Sequence, residues 1–306
     1  MKQLSTGGGT LKVPAIALGC MRINSLNEAD AQRLIHTALE NGINFFDHAD
    51  IYGGGEAERF FAKAAQMTPA LREKMILQSK CSIHPGVSYD CSKEYILSSV
   101  EGILERLNTE YLDVLLLHRP DALMDPAEVA EAFDALEASG KVRHFGVSNQ
   151  NPGQIALLQK YCKQPLLFNQ LQLSVTNCGM IDAGLNVNTE SPLATDRDGG
   201  VLDFCRLHDI TIQAWSPFQY GMFQGTFLGC DKFPELNQKI DEIAEKYGIT
   251  NNAVAVAWIL RHPAGIQTIV GTTNAQRLAD VCKASEITLS RTEWYELYCA
   301  AGKSLP

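Results

Sequence analysis

The chain lacks nearly every feature that would tie it to a membrane, a metal ion or a nucleic acid. No apolar run approaches the ~18 residues needed to span a bilayer, and the first residues show no charged-then-apolar leader. A cytoplasmic protein without a membrane partner is expected. Basic residues are outnumbered: 26 Lys and Arg face 35 Asp and Glu, giving a net charge of −9 and a pI near 5.3. Such a balance argues against nucleic acid or an anionic surface as partner. It leaves room for an anionic cofactor, which a few local cations can hold. Nine cysteines are present but no Cys-x-x-Cys pair. Neither Cys81/Cys91 nor Cys162/Cys178 has metal-like spacing with companion histidines. Free thiols in a reducing compartment are the expectation. His84, His144 and His208 are ungrouped, so no metal is expected. The triplets Gly7–Gly9 and Gly53–Gly55 do not fit a dinucleotide fingerprint, and both read as tight turns.

What the chain does have is rhythm. Its 306 residues are 45% hydrophobic and 20% charged, enough to bury a large core. Short apolar runs at 15–18, 43–47, 75–79, 111–117, 144–147, 166–170, 211–215 and 268–270 alternate with helical stretches. Those stretches fall near 28–40, 56–66, 91–107, 127–138, 152–161, 201–208, 235–247 with 251–261, and 275–283, and a last helix runs through 291–300. In 91–107 the residues Ile96, Val100, Ile103, Leu104 and Leu107 draw one apolar stripe. Continuous apolar strands imply a parallel sheet covered on both faces. Eight strand–helix units without a linker-like break predict a single domain over 1–306. The expected fold is α/β: a (β/α)8 TIM barrel with an N-terminal hairpin at 4–13 and extra C-terminal helices. Residues 172–200 and 217–234 read as long loops.

In such a barrel the reacting groups sit where strands end. Asp47 closes one apolar strand and Tyr52 follows five residues later, while Lys80 and His118 close two more strands. Each alone has a bland explanation: a turn carboxylate, a packing tyrosine, a solvated lysine, a core histidine. Closing the barrel would bring all four to one rim. A tyrosine needs help to exchange protons near neutrality. A lysine cation stabilises phenolate, and a carboxylate keeps that lysine charged. A histidine beside them can orient a carbonyl oxygen or join a proton relay. No side chain supplies hydride, which points to a nicotinamide cofactor.

Gly42-x4-Asp47-x-Ala49-x2-Tyr52-Gly53 resembles the signature of the aldo-keto reductases, and further blocks follow in order. These are Leu115-Leu-Leu-His118, Gly146-Val-Ser-Asn149, Asn169-Gln170, Trp215-Ser-Pro217 and Val270-Gly-Thr272 with Arg277. The resemblance covers essentially the whole chain. It implies Tyr52 as general acid, Asp47 and Lys80 lowering its pKa, and His118 positioning a small-molecule carbonyl substrate. Ser148, Asn149 and Gln170 would hold the nicotinamide carboxamide, with Asp47 nearby. Trp215, where tyrosine is common, would stack on the ring. Gly19, Met21 and Arg22 would line the cofactor after the first strand. Ser216, Pro217, Phe218 and the segment Gly271-Thr272-Thr273 would meet its phosphates. Thr272, Asn274 and Arg277 match positions that favour NADPH over NADH, and Asp280 would meet the adenine edge. The family's frequent lysine is absent at Gly271, as is its asparagine at Val281.

Two other classes remain compatible with the sequence. One is a redox-sensing binding protein like the family's potassium-channel β-subunits, and the other is a barrel lyase or aldolase with Lys80 as Schiff-base former. Oligomeric state is open, a homo-oligomer included.

Overall fold

The computed structural model describes residues 1–305; position 306 of the expected domain lies outside the described residues. Strands β1 (Gln3–Thr6) and β2 (Leu11–Pro14) form the opening hairpin. The turn between them carries Gly7 to Gly9, all at positive φ, a conformation that favours glycine. Next come β3 (Ile16–Gly19), α1 (Glu28–Glu40), β4 (Phe45–Asp47), α2 (Glu56–Ala65), α3 (Pro69–Arg72), β5 (Ile76–Cys81), β6 (Ile83–His84), β7 (Ser88–Tyr89) and α4 (Lys93–Leu107). Then follow β8 (Leu112–Leu117), α5 (Pro126–Ala138), β9 (Val142–Ser148), α6 (Pro152–Tyr161), β10 (Leu166–Gln172), α7 (Gly179–Leu185) and α8 (Val201–Leu207). The chain closes with β11 (Thr211–Trp215), α9 (Pro234–Tyr247), α10 (Asn251–Leu260), β12 (Gln267–Val270), α11 (Ala275–Cys282) and α12 (Arg291–Ala300).

Eight strands close in the order β10-β11-β12-β3-β4-β5-β8-β9, every neighbouring pair parallel. The eightfold barrel read from the sequence is therefore the fold. Helices start where the sequence offers caps. Asn27 accepts from Asp30 N at the head of α1, with Glu28 and Asp30 in the first turn. Asn151 with Gln154, and Ser290 with Glu293, build full capping boxes. The predicted stripe of α4 is buried, and the helix stops at Asn108 in the left-handed region.

Inside the barrel, Ala17, Phe45, Val114, Leu116, Phe168 and Ile269 form an apolar plug, joined by Val13 and Leu167. Gly146 lies against it. A Cβ there would come within 2.7 Å of Leu116 Cδ2 and 2.8 Å of Phe168 O, so no larger residue fits. A second, larger apolar shell lies between the strands and the helices.

Four local details differ from the sequence reading. The stretch 172–200 is not all loop, since α7 forms within it and Pro192–Ala194 makes a 3-10 turn. Asp182 of α7 explains why the helix stays: it accepts from Tyr298 at 2.9 Å and pairs with Lys303 near the C-terminal end. The β6–β7 hairpin and the single turn α3 were not anticipated. Lys80 lies within β5 rather than beyond it, because that strand continues to Cys81. No helix among the described residues is long and apolar enough to cross a membrane.

Candidate active site

Strand alternation decides which side chains meet at the rim. On β5, Gln78 and Lys80 point inward while Ser79 points out to the helices, as their partners show. Asp47 ends β4 facing the same interior, and His118 follows β8 directly. Tyr52 sits in the turn after β4, where Gly53 and Gly54 take positive φ and bend the chain back over the rim. A Cβ on Gly53 would also press within 2.6 Å of Asn24 Nδ2.

The four residues do come together. Lys80 Nζ lies 2.8 and 2.9 Å from the two oxygens of Asp47. It also donates to His48 O at 2.7 Å and to Tyr52 OH at 3.2 Å. All three ammonium protons are thereby used. Tyr52 OH accepts from Lys80, so its own proton stays available. Tyr52 and His118 meet edge to face with ring centroids 6.0 Å apart. Lys80 is fully buried and Asp47 nearly so, whereas Tyr52 and His118 are half-buried.

The electrostatics bear out one half of an expectation, the lowering of Tyr52 by Lys80, and correct the other half. The Tyr52 phenol is pushed above its ordinary value, not below it. Burial is the main cause; Lys80 pulls the value down and Asp47 raises it, and together they do not offset desolvation. A phenol so placed keeps its proton at neutral pH. Burial would lower Lys80, but Asp47 and Tyr52 outweigh that effect and hold the ammonium charged. His118 is driven well below the usual histidine range by burial and by Lys80. Its imidazole is therefore neutral, suited to donating a hydrogen bond, and Nδ1 is buried without a partner among the described residues.

The other predicted site residues fall on the same face. Ser148 Oγ donates to Gln170 O at 3.0 Å and accepts from Asn149 Nδ2 at 2.8 Å. Asn149 Oδ1 accepts from Trp215 Nε1 at 3.2 Å, which ties the ends of β9 and β11 together. Asn149 and Ser216 both take positive φ, backbone strain of the kind that collects at functional sites. Arg22 donates to Gly271 O at 2.6 Å, so the loop after β3 reaches the loop after β12. Gly19 ends β3, and Met21 beside Arg22 is exposed. Pro217 is buried and Phe218 half-buried. Thr272 Oγ1 accepts from Asn274 N, and Asn274 caps α11 by accepting from Arg277 N, next to half-buried Thr273. The exposed Arg277 side chain makes no ion pair among the described residues. Asp280, expected at an adenine edge, accepts from Gln276 Nε2 at 3.0 Å.

These residues fit a nicotinamide dinucleotide. Trp215 offers a half-buried aromatic face, and Gln170 Oε1 is an acceptor with no partner among the described residues. The N-terminus of α11 lies beside an unpaired cation, as an anionic group requires.

The sequence reading missed a set of glutamines beneath Asp47. Gln78, Gln170, Gln213 and Gln267 are buried in the barrel and hydrogen-bonded to one another. Only Gln170 was singled out in advance. A signal existed in the phase, since Gln78 precedes Lys80 by two residues and Gln213 precedes Trp215 by two. Also missed was the pair Glu58–Arg106, 2.7 Å apart on the outer side of β5.

Comparison with known proteins agrees with this geometry. The profile of the Aldo/keto reductase family matches residues 15–298. The chain is 36% identical to an uncharacterised oxidoreductase, YcsN, of Bacillus subtilis over 97% of each chain. It is also 36% identical to a 6-dehydroglucose reductase of Novosphingobium aromaticivorans, covering 100% of this chain and 97% of that one. Among solved structures, an aldo/keto reductase from Klebsiella pneumoniae in complex with NADP and acetate superposes with a TM-score of 0.77 at 25% identity. That match covers 97% of this chain and 94% of the other. Barrel, rim constellation and relatives converge, and the chain belongs to the aldo/keto reductase family.

Proposed function

We propose that this protein is an NADPH-dependent reductase that converts an aldehyde or ketone to an alcohol, with Tyr52 as the proton donor. One observation carries the reading. The Tyr52 hydroxyl accepts from a buried, charged Lys80 while keeping its own proton on the open rim, beside a neutral His118. Bound reduced nicotinamide would supply hydride to the carbonyl carbon. Tyr52 would hold the carbonyl oxygen and give it a proton as negative charge develops there. Lys80, fixed by Asp47, would stabilise the phenolate left behind. His118 would donate a second hydrogen bond that orients the same oxygen. Gln170, Ser148 and Asn149 would seat the carboxamide, Trp215 would cover the ring, and Ser216 to Phe218 would border the phosphates. Thr272, Asn274 and Arg277 would favour the 2′-phosphate of NADPH over NADH. The whole of residues 1–306 would act as one unit in the cytoplasm, where the nine free thiols stay reduced.

Lys80 is not arranged as a Schiff-base former, because all three of its protons are engaged and its charge is reinforced. The test is a panel of aldehydes, ketones and oxidised sugars, the last suggested by the similarity to a 6-dehydroglucose reductase. Consumption of reduced cofactor is followed at about 340 nm. Turnover with NADPH faster than with NADH is expected. Tight NADPH binding without turnover on any carbonyl would overturn the reading in favour of a redox-sensing binding protein.

A further inference from the structure

Four glutamines in the core of a barrel are a costly choice unless every polar atom is matched. Here they are matched in one direction only. At one end, Gln267 Nε2 donates to Pro14 O at 2.8 Å, and a backbone carbonyl can only accept. Gln267 Oε1 must then accept, and it does so from Gln213 Nε2 at 2.8 Å. Gln213 Nε2 also donates to Gln78 Oε1 at 3.1 Å, so Gln213 Oε1 faces two donors. Those donors are Gln78 Nε2 at 2.9 Å and Gln170 Nε2 at 3.0 Å. Both amides end on Asp47 Oδ1, at 2.6 and 3.0 Å, and a carboxylate again only accepts. Two accept-only ends thus dictate the orientation of every amide between them. Turning Gln170 over would set its Oε1 against two acceptors.

We propose that the chain Gln267–Gln213–Gln78 is a positioning device for the cofactor's nicotinamide end, acting through Gln170 and Asp47. Both amide protons of Gln170 are consumed from below, so that residue meets a ligand only as an acceptor, through Oε1. A carboxamide NH2 matches that acceptor, and a carbonyl does not. Gln78 holds Asp47 in place beneath Lys80 by the same means. The inference rests on the reductase reading, and it assigns Gln78, Gln213 and Gln267 an effect without contact with cofactor or substrate.

The test separates the two ends of the cofactor. Replacing Gln78, Gln213 and Gln267 together by Met keeps length and shape and removes both partners of the bonds among the three. Gln170 Nε2, Asp47 Oδ1 and Pro14 O each lose one partner, so the fold is verified by circular dichroism before binding is read. Binding of NADPH is compared with that of adenosine 2′,5′-bisphosphate, which lacks the nicotinamide, by fluorescence and calorimetry. The expected result is NADPH weakened about tenfold, as for loss of one oriented hydrogen bond, with the bisphosphate unchanged within about twofold. Equal weakening of both ligands, or of neither, overturns the proposal. The single change Gln213→Met is run beside it and is expected to weaken NADPH alone, by a smaller factor. One measurement needs no variant: side-chain amide protons of Gln213 and Gln170 should exchange far more slowly than those of surface glutamines. Free exchange contradicts the device. Wild-type protein that binds no nicotinamide would instead sink the reductase reading itself.

Discussion

Strand β5 carries two buried polar clusters on opposite faces, and they differ in one respect. On the inner face, Gln78 and Lys80 converge on Asp47, and the set ends on the half-buried phenol of Tyr52. On the outer face, Ser79 donates to Glu58 at 2.6 Å, and Arg106 pairs with the same carboxylate at 2.7 Å. The outer cluster is closed, because Glu58 on α2 is fully buried and its two oxygens accept from Ser79 on the strand and Arg106 on α4. The inner cluster is open, because it leaves one proton and one acceptor toward the cleft. Neighbouring residues on one strand can therefore serve fold and chemistry separately, and alternation alone keeps them apart.

That contrast can be broken from either side. Lys80→Met removes the charge behind Tyr52, and turnover should fall by about two to four orders of magnitude. Steady-state reduction of the best carbonyl in the panel checks it. Stability should also drop, because Asp47 would be buried without its counter-ion. On the outer face, Glu58→Gln leaves Arg106 without its anion. Burial holds the Glu58 carboxyl above its ordinary value despite Ser79 and Arg106, so a loss of only about 1 kcal/mol in urea melts is expected, with the turnover number within about twofold of wild type. If Glu58→Gln instead abolished turnover without destabilising the fold, the division between the faces would be wrong.

Smaller effects sharpen the picture. Arg277→Ala should weaken NADPH about tenfold, the scale of one charge-assisted bond, and leave NADH nearly unchanged in a fluorescence titration. Asp50 lies between the two clusters, with Oδ1 buried and unpartnered. Burial, with the Glu58 charge, pushes its carboxyl up to about 7. Its unfolded value is near 3.9, so the folded state keeps a proton that the unfolded chain has lost. The associated stability is present at low pH and is lost as pH rises from about 4 through 7. Asp50→Asn should therefore raise the melting temperature at pH 8, by the equivalent of about 1–2 kcal/mol, and change it little at pH 4.5. Calorimetric scans at the two pH values decide the sign.

The barrel was legible because its signals are local and repeated. Apolar runs set the strands, and the spacing of Ile96, Val100, Ile103, Leu104 and Leu107 marks the buried face of α4. The rim residues were legible because each sits at or just past the end of an apolar strand. The direction of the Tyr52 shift was not, since it depends on how completely the closed barrel desolvates the phenol. Nor was the amide chain: Gln78, Gln213 and Gln267 are far apart in sequence, and only the closure of β5, β11 and β12 around one interior brings them into contact. Helix α7 was missed for a similar reason. Its anchor, Asp182, finds Tyr298 and Lys303 more than a hundred residues away.

The most direct test of the account removes a single oxygen from the open end of the inner cluster. In Tyr52→Phe, NADPH affinity is measured by fluorescence titration and carbonyl reduction by loss of the cofactor's absorbance, on the same preparation. The account predicts affinity within about twofold of wild type and turnover lower by about a thousandfold or more. Turnover that survives the change would contradict it.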